Sequence, residues 1–299
     1  MFYRLRTKLA RTRFDAGVRG VLDTAPVAPR ADGPTIVSQL RSPDVLAWLV
    51  AVKSVQAALG AGRVVVVDDG SLTEADRAAL SDHVPGVAVR PLSDGRPGGL
   101  PHGGTWERLC VIAEECRTRY TIQLDADIVG LGPLDAVLDH VAGNRPFALA
   151  DGPVPGLRPA RDIAAWNAGR PWREDHVQNE AELAFAETDL PPGARYLRGT
   201  SAFAGFPGGA DILPGLRAFS EAMRASLGHR WDAWGTEQVA SNYAVANAGE
   251  AVPLTPPAYV NHTPDAALDR ACLVHFYGTH RFRGGRYLAA ARRAIAAMD

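Results

Sequence analysis

Residues 120–127 read Tyr-Thr-Ile-Gln-Leu-Asp-Ala-Asp, a short apolar run that ends in two aspartates. Residues 63–71, Arg-Val-Val-Val-Val-Asp-Asp-Gly-Ser, repeat this arrangement earlier in the chain. Such short apolar runs, the earlier one built of β-branched valines, are typical of strands buried on both faces, which occur mainly in parallel sheets. The two stretches therefore predict parallel strands, each of which ends in an acidic turn.

Short apolar segments alternate with segments of helical period on both sides of these strands. Residues 35–40 and 146–150 predict further strands, and residues 44–59 place apolar side chains at helical spacing. This alternation predicts an α/β fold, with a mostly parallel central sheet flanked by helices in a three-layer sandwich. Because ligands of such sheets bind at the carboxyl ends of strands, we expect the two acidic turns on one rim.

The first 33 residues are predicted to be a basic segment and linker, because residues 1–30 carry seven basic residues against two acidic ones. Aromatic and leucine side chains are interleaved with these charges at Phe2, Tyr3, Leu5, Leu9 and Phe14. Two interpretations stay open: a solvated helix packed on the domain, or a helix in peripheral contact with the inner face of a membrane. Residues 34–299 are predicted to form a single domain.

The overall charge and the scarcity of lysine exclude several functional classes. Lys and Arg total 32 and Asp and Glu total 33, so the net charge of −1 gives no general attraction for nucleic acid. The sequence contains only Lys8 and Lys53, and neither follows a glycine as the lysine of a P-loop does. Neither is a good candidate for the Schiff-base lysine of a pyridoxal-phosphate enzyme.

Cysteine content and hydropathy indicate a cytoplasmic location. The three cysteines include no Cys-x-x-Cys pair, which argues against a disulfide framework or a structural zinc site and fits a reducing compartment. No apolar run reaches the length of a membrane span, and the N-terminus lacks the apolar stretch of a signal peptide.

Asp125 and Asp127 are candidate ligands for a divalent cation, because two carboxylates two residues apart at a strand end can share one hard cation. The alternative is a turn in which Asp127 accepts hydrogen bonds from backbone N–H groups. Residues 275–281, His-Phe-Tyr-Gly-Thr-His-Arg, add a histidine that can supply a nitrogen ligand. Gly278 would let the backbone approach a ligand closely, and Arg281 can neutralise a phosphate with its planar fork.

Two further clusters suit other parts of a substrate. Asp68 and Asp69 can accept hydrogen bonds from a nucleobase or ribose, although an Asx turn would account for one of them. Residues 231–238, Trp-Asp-Ala-Trp-Gly-Thr-Glu-Gln, offer a flat apolar face at Trp234 and an acid at Glu237. Glu237 is a candidate general base; alternatively, it balances the N-terminus of a helix beside buried tryptophans.

The order of these motifs resembles the GT-A family of glycosyltransferases over residues 34–283. The resemblance rests on the first strand, the two acidic turns, a glycine-containing strand at 198–205, the Trp-Gly-Thr-Glu helix start and the 275–281 tail. It implies a nucleotide-sugar donor (a UDP- or GDP-sugar), Mn²⁺ or Mg²⁺, and a hydroxyl acceptor whose identity is open. It also implies a nucleotide-sugar-binding half at 34–150 and an acceptor-binding half at 151–299.

The resemblance assigns donor-binding roles to side chains on the predicted rim. Those implied to contact the nucleotide are Gln39 and Leu40 beside the nucleoside, Asp68 or Asp69 at the base, and Arg108. The implied metal ligands are Asp125, which also lies toward the ribose, Asp127 and His275. Gly278 and Arg281 correspond to the diphosphate-contacting end of the His-x-x-Gly-x-x-Lys/Arg pattern of glycogenin-like members, many of which carry lysine in place of this arginine.

The implied reaction is transfer of a hexosyl-type sugar to the acceptor hydroxyl, with Asp127 and Glu237 as the catalytic residues. The metal and Arg281 would stabilise the charge that develops on the leaving diphosphate. Trp234, Gly235 and Glu237 resemble acceptor-side motifs of the family. The tail favours a retaining outcome, in which Glu237 would orient the acceptor instead of acting as a base.

Two alternatives remain open. Asp125-x-Asp127 also fits the nucleophile motif of haloacid-dehalogenase-type phosphatases. However, about 90 residues of strand-helix alternation precede it, and no lysine follows Lys53. The second alternative is a catalytically degenerate GT-A nucleotide-binding module, against which the joint presence of Asp125, Asp127, His275 and Arg281 argues. A sugar-phosphate nucleotidyltransferase and a dinucleotide-dependent dehydrogenase lack their glycine-rich signatures here.

Overall fold

The computed structural model describes residues 2–27, 29–60, 62–96, 98–150, 156–170 and 176–298. Its helices are α1 Phe2–Val18, α2 Val45–Leu59, α3 Glu74–His83, α4 Trp106–Glu115, α5 Asp135–Ala142, α6 Ala160–Ala168, α7 Val177–Ala184, α8 Leu213–Leu227, α9 Thr236–Asn247 and α10 Arg286–Ala296. Its strands are β1 Thr35–Leu40, β2 Arg63–Asp68, β3 Ala88–Pro91, β4 Thr121–Leu124, β5 Ile128–Gly130, β6 Phe147–Ala150, β7 Arg158–Pro159, β8 Arg195–Tyr196, β9 Gly199–Phe206, β10 Val252–Leu254, β11 Tyr259–Asn261 and β12 Leu273–His275.

The largest sheet among the described residues has seven strands in the order β10-β6-β9-β4-β1-β2-β3. Strands β1 and β2 pair in parallel, from Thr35 opposite Arg63 to Leu40 opposite Asp68. Strands β10 and β6 are also parallel, whereas β6 and β9 are antiparallel. The predicted α/β class, with a mostly parallel sheet flanked by helices, is confirmed.

The chain divides into two compact units that interleave along the sequence. The first unit consists of Met1–Arg90, Leu124–Leu138 and Thr255–Asp299, and the second of Pro91–Gln123 and Asp139–Leu254. The predicted basic segment at 1–33 and the two functional halves that meet at residue 150 stay predictions.

The core of the first unit is built on β1, β2 and α2. The four valines Val64–Val67 are at most 3% exposed, which explains why this strand reads as a continuous apolar run. Helix α2 is buried around most of its circumference and ends where Gly60 adopts a left-handed φ of 60°. The Gly60 N–H donates to the Gln56 carbonyl over 2.7 Å, so this carbonyl in the last turn of the helix has a hydrogen-bond donor.

A second, three-stranded sheet of the first unit has the order β11-β12-β5. Strands β11 and β12 are parallel, with Asn261 opposite His275, and β12 and β5 are antiparallel, with His275 opposite Ile128. This sheet brings a segment near residue 128 together with one near residue 275. It therefore places two of the sequence motifs side by side.

Helix α1 packs against α10 within the first unit. The rings of Phe14 and Tyr287 stack with centroids 4.1 Å apart, and Phe14 is 2% exposed. A Cβ on Gly17 would lie 2.6 Å from Leu288 Cδ1, so the helices approach closely there. This part of α1 is thus packed on the domain, whereas Phe2, Tyr3 and Leu5 lie outside the residues whose side chains are described. Peripheral contact of the helix with a membrane stays a prediction.

Lys53, one of the two lysines, is buried and binds the segment that follows α1. Its Nζ donates to the carbonyls of Thr24 and Val21 over 3.3 and 3.5 Å and lies 3.2 Å from His83 Nδ1. Burial lowers the pKa of this ammonium group. Within the described part of the chain, no helix combines the length and hydropathy that crossing a membrane requires. The cytoplasmic location stays a prediction.

The second unit is organised around β9, every residue of which is buried, and α9. Helix α7 contributes a fully buried carboxylate, that of Glu182, to this unit. It accepts hydrogen bonds from Gln178 Nε2 over 3.0 Å and from the Tyr196 hydroxyl over 3.1 Å, and it forms an ion pair with Arg198. A buried charge is tolerated only when it is paired and hydrogen-bonded in this way.

Candidate functional site

Asp125, Asp127 and His275 converge in the first unit. One potential ligand atom from each lies within 4.8 Å of the others. Asp127 and His275 are buried, with 3% and 5% exposure, and Asp125 is half-buried. The arrangement is the one predicted from the separate motifs, and it can hold a divalent cation.

Backbone pairing of two strands fixes this convergence. Asp125 and Asp127 lie in the connection between β4 and β5, and His275 is the last residue of β12, which runs antiparallel to β5. The Phe276 N–H donates to the Asp127 carbonyl over 2.9 Å, which extends the pairing by one residue. Residues 128 and 129, directly after these aspartates, are part of strand β5.

Asn261 determines which nitrogen of His275 faces the carboxylates. His275 Nδ1 lies 2.8 Å from Asn261 Oδ1, an atom that can only accept a hydrogen bond. A neutral His275 therefore carries its hydrogen on Nδ1 and presents the Nε2 lone pair toward Asp127 Oδ1, 3.3 Å away. An outer partner of this kind is characteristic of metal-binding histidines.

The fit of a cation can be judged from Asp127 Oδ1. This oxygen is buried and has no hydrogen-bond donor among the described residues. In the neutral form of His275, whose tautomer Asn261 fixes, two electron-rich atoms, Asp127 Oδ1 and His275 Nε2, face each other over 3.3 Å. A cation between them would satisfy both, and a set of two carboxylates and one imidazole suits Mn²⁺ and also accommodates Mg²⁺.

Arg281 is the other charged partner of this cluster. Its Nη2 pairs with Asp127 Oδ2, and its Nε donates to the Phe276 carbonyl over 3.0 Å. Burial opposes ionisation of Asp127, but Arg281 and His275 outweigh it and lower the pKa of the carboxyl to about 2. Asp127 is therefore a carboxylate at neutral pH, ready to act as a ligand.

Asp44, which the sequence analysis did not single out, connects Arg281 to the N-terminal helix. Its Oδ1 accepts from Arg11 Nη2 over 2.7 Å, and its Oδ2 from Arg41 Nη2 over 2.6 Å. Arg281 Nη1 lies 3.9 Å from Asp44 Oδ1. The signal in the sequence was the position of Asp44, four residues after the end of the first strand and thus on the predicted rim.

Four more residues with predicted nucleotide contacts lie in the first unit. Leu40 has a buried side chain, so only its backbone is available. Asp68 Oδ1 accepts from the N–H groups of residues 70 and 72, and its Oδ2 pairs with Arg77. Asp69 Oδ1 accepts from the N–H and hydroxyl of Ser71 over 2.9 and 2.6 Å. Both aspartates thus form Asx turns, and their contacts with a base stay predictions.

Gln39 differs from these aspartates because it retains an unused polar atom. The residue is half-buried, and its Oε1 is buried without a hydrogen-bond donor among the described residues. Gly278 adopts a φ of 56°, and an added Cβ would meet no atom within 4 Å. The backbone conformation alone accounts for the glycine, and its predicted close approach to a diphosphate stays a prediction.

In the second unit, Glu237 is the centre of a buried polar network and is 2% exposed. Its Oε2 accepts from the hydroxyls of Thr105 and Ser201, both over 2.9 Å, and its Oε1 from Gln123 Nε2 over 3.0 Å. Arg108 Nη2 is 3.4 Å from Oε1. Arg108, which was predicted to contact the nucleotide, is itself 2% exposed and pairs with this carboxylate.

Thr105 has an unusual backbone conformation. It precedes α4 with a left-handed φ of 76°, and its side chain makes no capping bond. The hydroxyl is instead directed to Glu237. A residue that has an uncommon backbone conformation and donates to a buried acid is found in functional sites as well as in tightly packed cores.

Trp234 lies just before α9 and is 77% exposed, which is unusual for a tryptophan. His176 is its aromatic neighbour, with ring centroids 6.5 Å apart. Gly235 has a φ of 101°, and an added Cβ would lie 3.0 Å from Val177 Cγ1, so this position favours glycine for both reasons. The predicted acceptor-side residues thus combine an exposed ring with a buried acid within one unit.

Comparisons with known proteins identify no matching family model and no matching curated protein. Among solved structures, the bifunctional glycosyltransferase WbbM in its apo form is 15% identical with a TM-score of 0.49, over 85% of this chain and 47% of WbbM. The chain thus spans about half of WbbM. The galactosyltransferase LgtC in complex with donor and acceptor sugar analogues is 16% identical with a TM-score of 0.49, over 86% of this chain and 95% of LgtC. Core-mannan synthase A from Aspergillus fumigatus, in its Mn/GDP form, is 10% identical with a TM-score of 0.42, over 81% of this chain and 85% of that enzyme.

Proposed function

We propose that this protein is a metal-dependent glycosyltransferase of the GT-A type, which moves a sugar from a nucleotide-sugar donor to an acceptor hydroxyl. The observation that carries the proposal is the cluster of Asp125, Asp127 and His275, with Arg281 beside it. A carboxylate oxygen and an imidazole nitrogen that face each other next to a guanidinium are suited to a cation and a polyanion together. A nucleoside diphosphate leaving group needs both.

The chemistry divides between the bound ion and the side chains of the first unit. When bound, Mn²⁺ or Mg²⁺ would be held by Asp125, Asp127 and His275 and would supply positive charge to the leaving diphosphate. Asn261 keeps the His275 ring in the ligating tautomer. Arg281 offers its planar fork to the phosphate oxygens, a role in which arginine binds bidentately and lysine does not.

For the donor, the best-supported nucleoside contact is Gln39. Its unsatisfied Oε1 at the end of β1 can accept a hydrogen bond from a base or ribose. Such a contact suits a UDP- or a GDP-sugar equally well. Asp68 and Asp69 would then shape the turn beside the nucleoside and contribute less to its recognition.

For the acceptor, Trp234 offers its exposed ring face to a sugar ring. We assign Glu237 a positioning role, because its two oxygens already accept hydrogen bonds from Thr105, Ser201 and Gln123. This role is consistent with a retaining reaction, which the tail at 275–281 favours. Turnover that falls in Glu237→Gln while donor binding persists would support it, whereas unchanged turnover would remove Glu237 from the site.

Calorimetry with UDP and GDP, each with and without Mn²⁺, tests the proposal. Nucleotide binding is expected to require Mn²⁺ and to vanish in Asp127→Ala, but to persist in Asp139→Ala, which removes an exposed acid of the other unit. Equally strong binding without metal would contradict the metal assignment. Hydrolysis of an aryl phosphate that Asp125→Asn abolishes would favour the phosphatase alternative. Metal-dependent nucleotide binding without transfer or hydrolysis of any donor sugar would indicate the degenerate module.

A further inference from the structure

The charge of this protein is distributed unevenly, and two packed helices carry the excess of positive charge. Helix α1 and the C-terminal residues 281–299 together hold ten of the 32 Lys and Arg but only two of the 33 Asp and Glu. The remaining chain is therefore net acidic, although the whole protein is near neutrality. The two segments meet because α1 packs on α10 through Phe14 and Tyr287.

Several of these basic side chains are exposed, and among the residues whose side chains are described they form no ion pair with the packed partner helix. Lys8 and Arg13 of α1 are exposed, as are Arg283 before α10 and Arg292 and Arg293 within it. The Arg292 Nε donates to the Gly17 carbonyl over 3.1 Å, and this bond holds the side chain along the seam between the two helices. Its partner there is a neutral carbonyl, so the hydrogen bond does not neutralise the positive charge. The result is a positive surface on a protein whose remaining residues carry a net negative charge.

An apolar groove opens within this positive surface. It has a volume of about 620 Å³ and runs between α1 and α10, past Phe282 and the glycines at 284 and 285. Leu9 and Arg13 line one side, and Leu288 and Arg292 line the other. In both helices the leucine precedes the arginine by four residues, so each helix presents one apolar and one cationic side chain on the same face.

Leu9, an apolar side chain that lines the groove, is 62% exposed. An occupant must therefore be apolar where it meets Leu9 and Phe282 and anionic where it meets the arginines. A free nucleotide or an acidic peptide supplies the negative charge without the apolar part. A bilayer that contains anionic lipid supplies both, with acyl chains below a layer of phosphate groups.

We propose that the face formed by α1 and residues 282–298 binds the surface of an anionic phospholipid bilayer, with Leu9 and the groove engaging acyl chains. The basic side chains contact lipid phosphates. This inference is independent of the proposed glycosyl transfer, because it uses neither the metal cluster nor the Glu237 network.

Co-sedimentation of the full-length protein with two kinds of vesicle tests the proposal. Vesicles of equal parts phosphatidylcholine and phosphatidylglycerol are expected to bind at low salt and to release the protein as salt is raised, because screening weakens attraction to a charged surface. Vesicles of phosphatidylcholine alone are expected to bind far more weakly. No binding to the anionic vesicles at low salt would overturn the proposal.

Two variants with a matched control separate the two parts of the surface. Lys8→Gln with Arg13→Gln is expected to weaken binding by about 25-fold at low salt, taking roughly fivefold for each basic side chain at an anionic surface. Arg161→Gln with Arg217→Gln removes the same charge from exposed positions of the second unit and is expected to change binding less than twofold. Equal losses in the two double variants would contradict a defined face.

The apolar part is tested by Leu9→Ser, which alters an exposed side chain and is expected to leave the melting temperature unchanged. It should weaken vesicle binding and leave binding to poly-glutamate unaltered. If poly-glutamate binds as tightly as the vesicles and Leu9→Ser affects neither, the surface is a site for acidic polymers and the bilayer proposal is wrong. These binding experiments do not measure turnover of a sugar donor. A failure to bind vesicles is therefore distinguishable from a failure of the proposed enzyme activity.

Discussion

Replacing Asn261 by alanine is expected to weaken metal binding without touching a metal ligand. The substitution removes the oxygen that accepts from His275 Nδ1, at 2.8 Å in the structure. The imidazole can then adopt the other tautomer or rotate, so a smaller fraction of molecules presents the Nε2 lone pair beside Asp127. Loss of such an outer partner typically lowers metal affinity by 10- to 100-fold, or about 1.4 to 2.7 kcal/mol.

The affinity for Mn²⁺ can be measured from the signal of the free ion in electron paramagnetic resonance, with and without UDP or GDP. Asn261→Asp is the matched variant, because a carboxylate is also an acceptor for the Nδ1 hydrogen, and it should retain or improve Mn²⁺ binding. Urea denaturation without metal should show that the alanine variant loses at most about 1.5 kcal/mol of unfolding free energy, the value of one hydrogen bond. An alanine variant that binds Mn²⁺ as the parent does would refute the tautomer argument.

Three further predictions concern stability. Phe14→Ala should lower the unfolding free energy by about 3–5 kcal/mol in urea denaturation, because it empties a buried ring site between α1 and α10; a loss below 1 kcal/mol, the size expected of an exposed site, would contradict that packing. Gly235→Ala should lower it by about 1–3 kcal/mol because of the left-handed φ, and a neutral effect would show that the turn adopts another conformation. Burial, and then the charge of Lys53, lower the pKa of His83, so the unfolded state binds more protons and stability should fall as the pH drops through the ordinary histidine range near 6.5. Melting temperatures measured between pH 5 and 8 should therefore fall less steeply toward acid pH in His83→Gln, and an unchanged acid slope would exclude His83 as a source.

The position of Asp125 and Asp127 could be predicted because they follow a strand of the main sheet, whereas His275 joined them only through the family resemblance, since its strand β12 belongs to the second sheet. Strand ends are visible in a sequence as a change from apolar to polar residues, and the α/β pattern places such ends on one rim. The strand Ile128–Gly130 was harder to predict from the sequence. Its three residues are too few to show a period, and the pairing that makes them a strand comes from β12, far along the chain.

The surroundings of Glu237 could not be predicted for a related reason. Its carboxylate is satisfied by Thr105, Gln123 and Ser201, which come from three distant segments. An acidic residue in the first turn of a helix has the same local sequence whether it faces solvent, a substrate or such a network. Only the tertiary structure distinguishes a candidate base from a carboxylate whose oxygens are already bonded.

The two lysines make the protein unusually simple to label at one side chain. Lys53 is 3% exposed and its ammonium group is held by Thr24, whereas Lys8 is exposed on the outer surface of α1. An amine-reactive dye will therefore attach to a single lysine side chain, apart from any free α-amino group. That lysine lies on the face that we assign to the bilayer, so a polarity-sensitive fluorophore at Lys8 would report directly when this face leaves water.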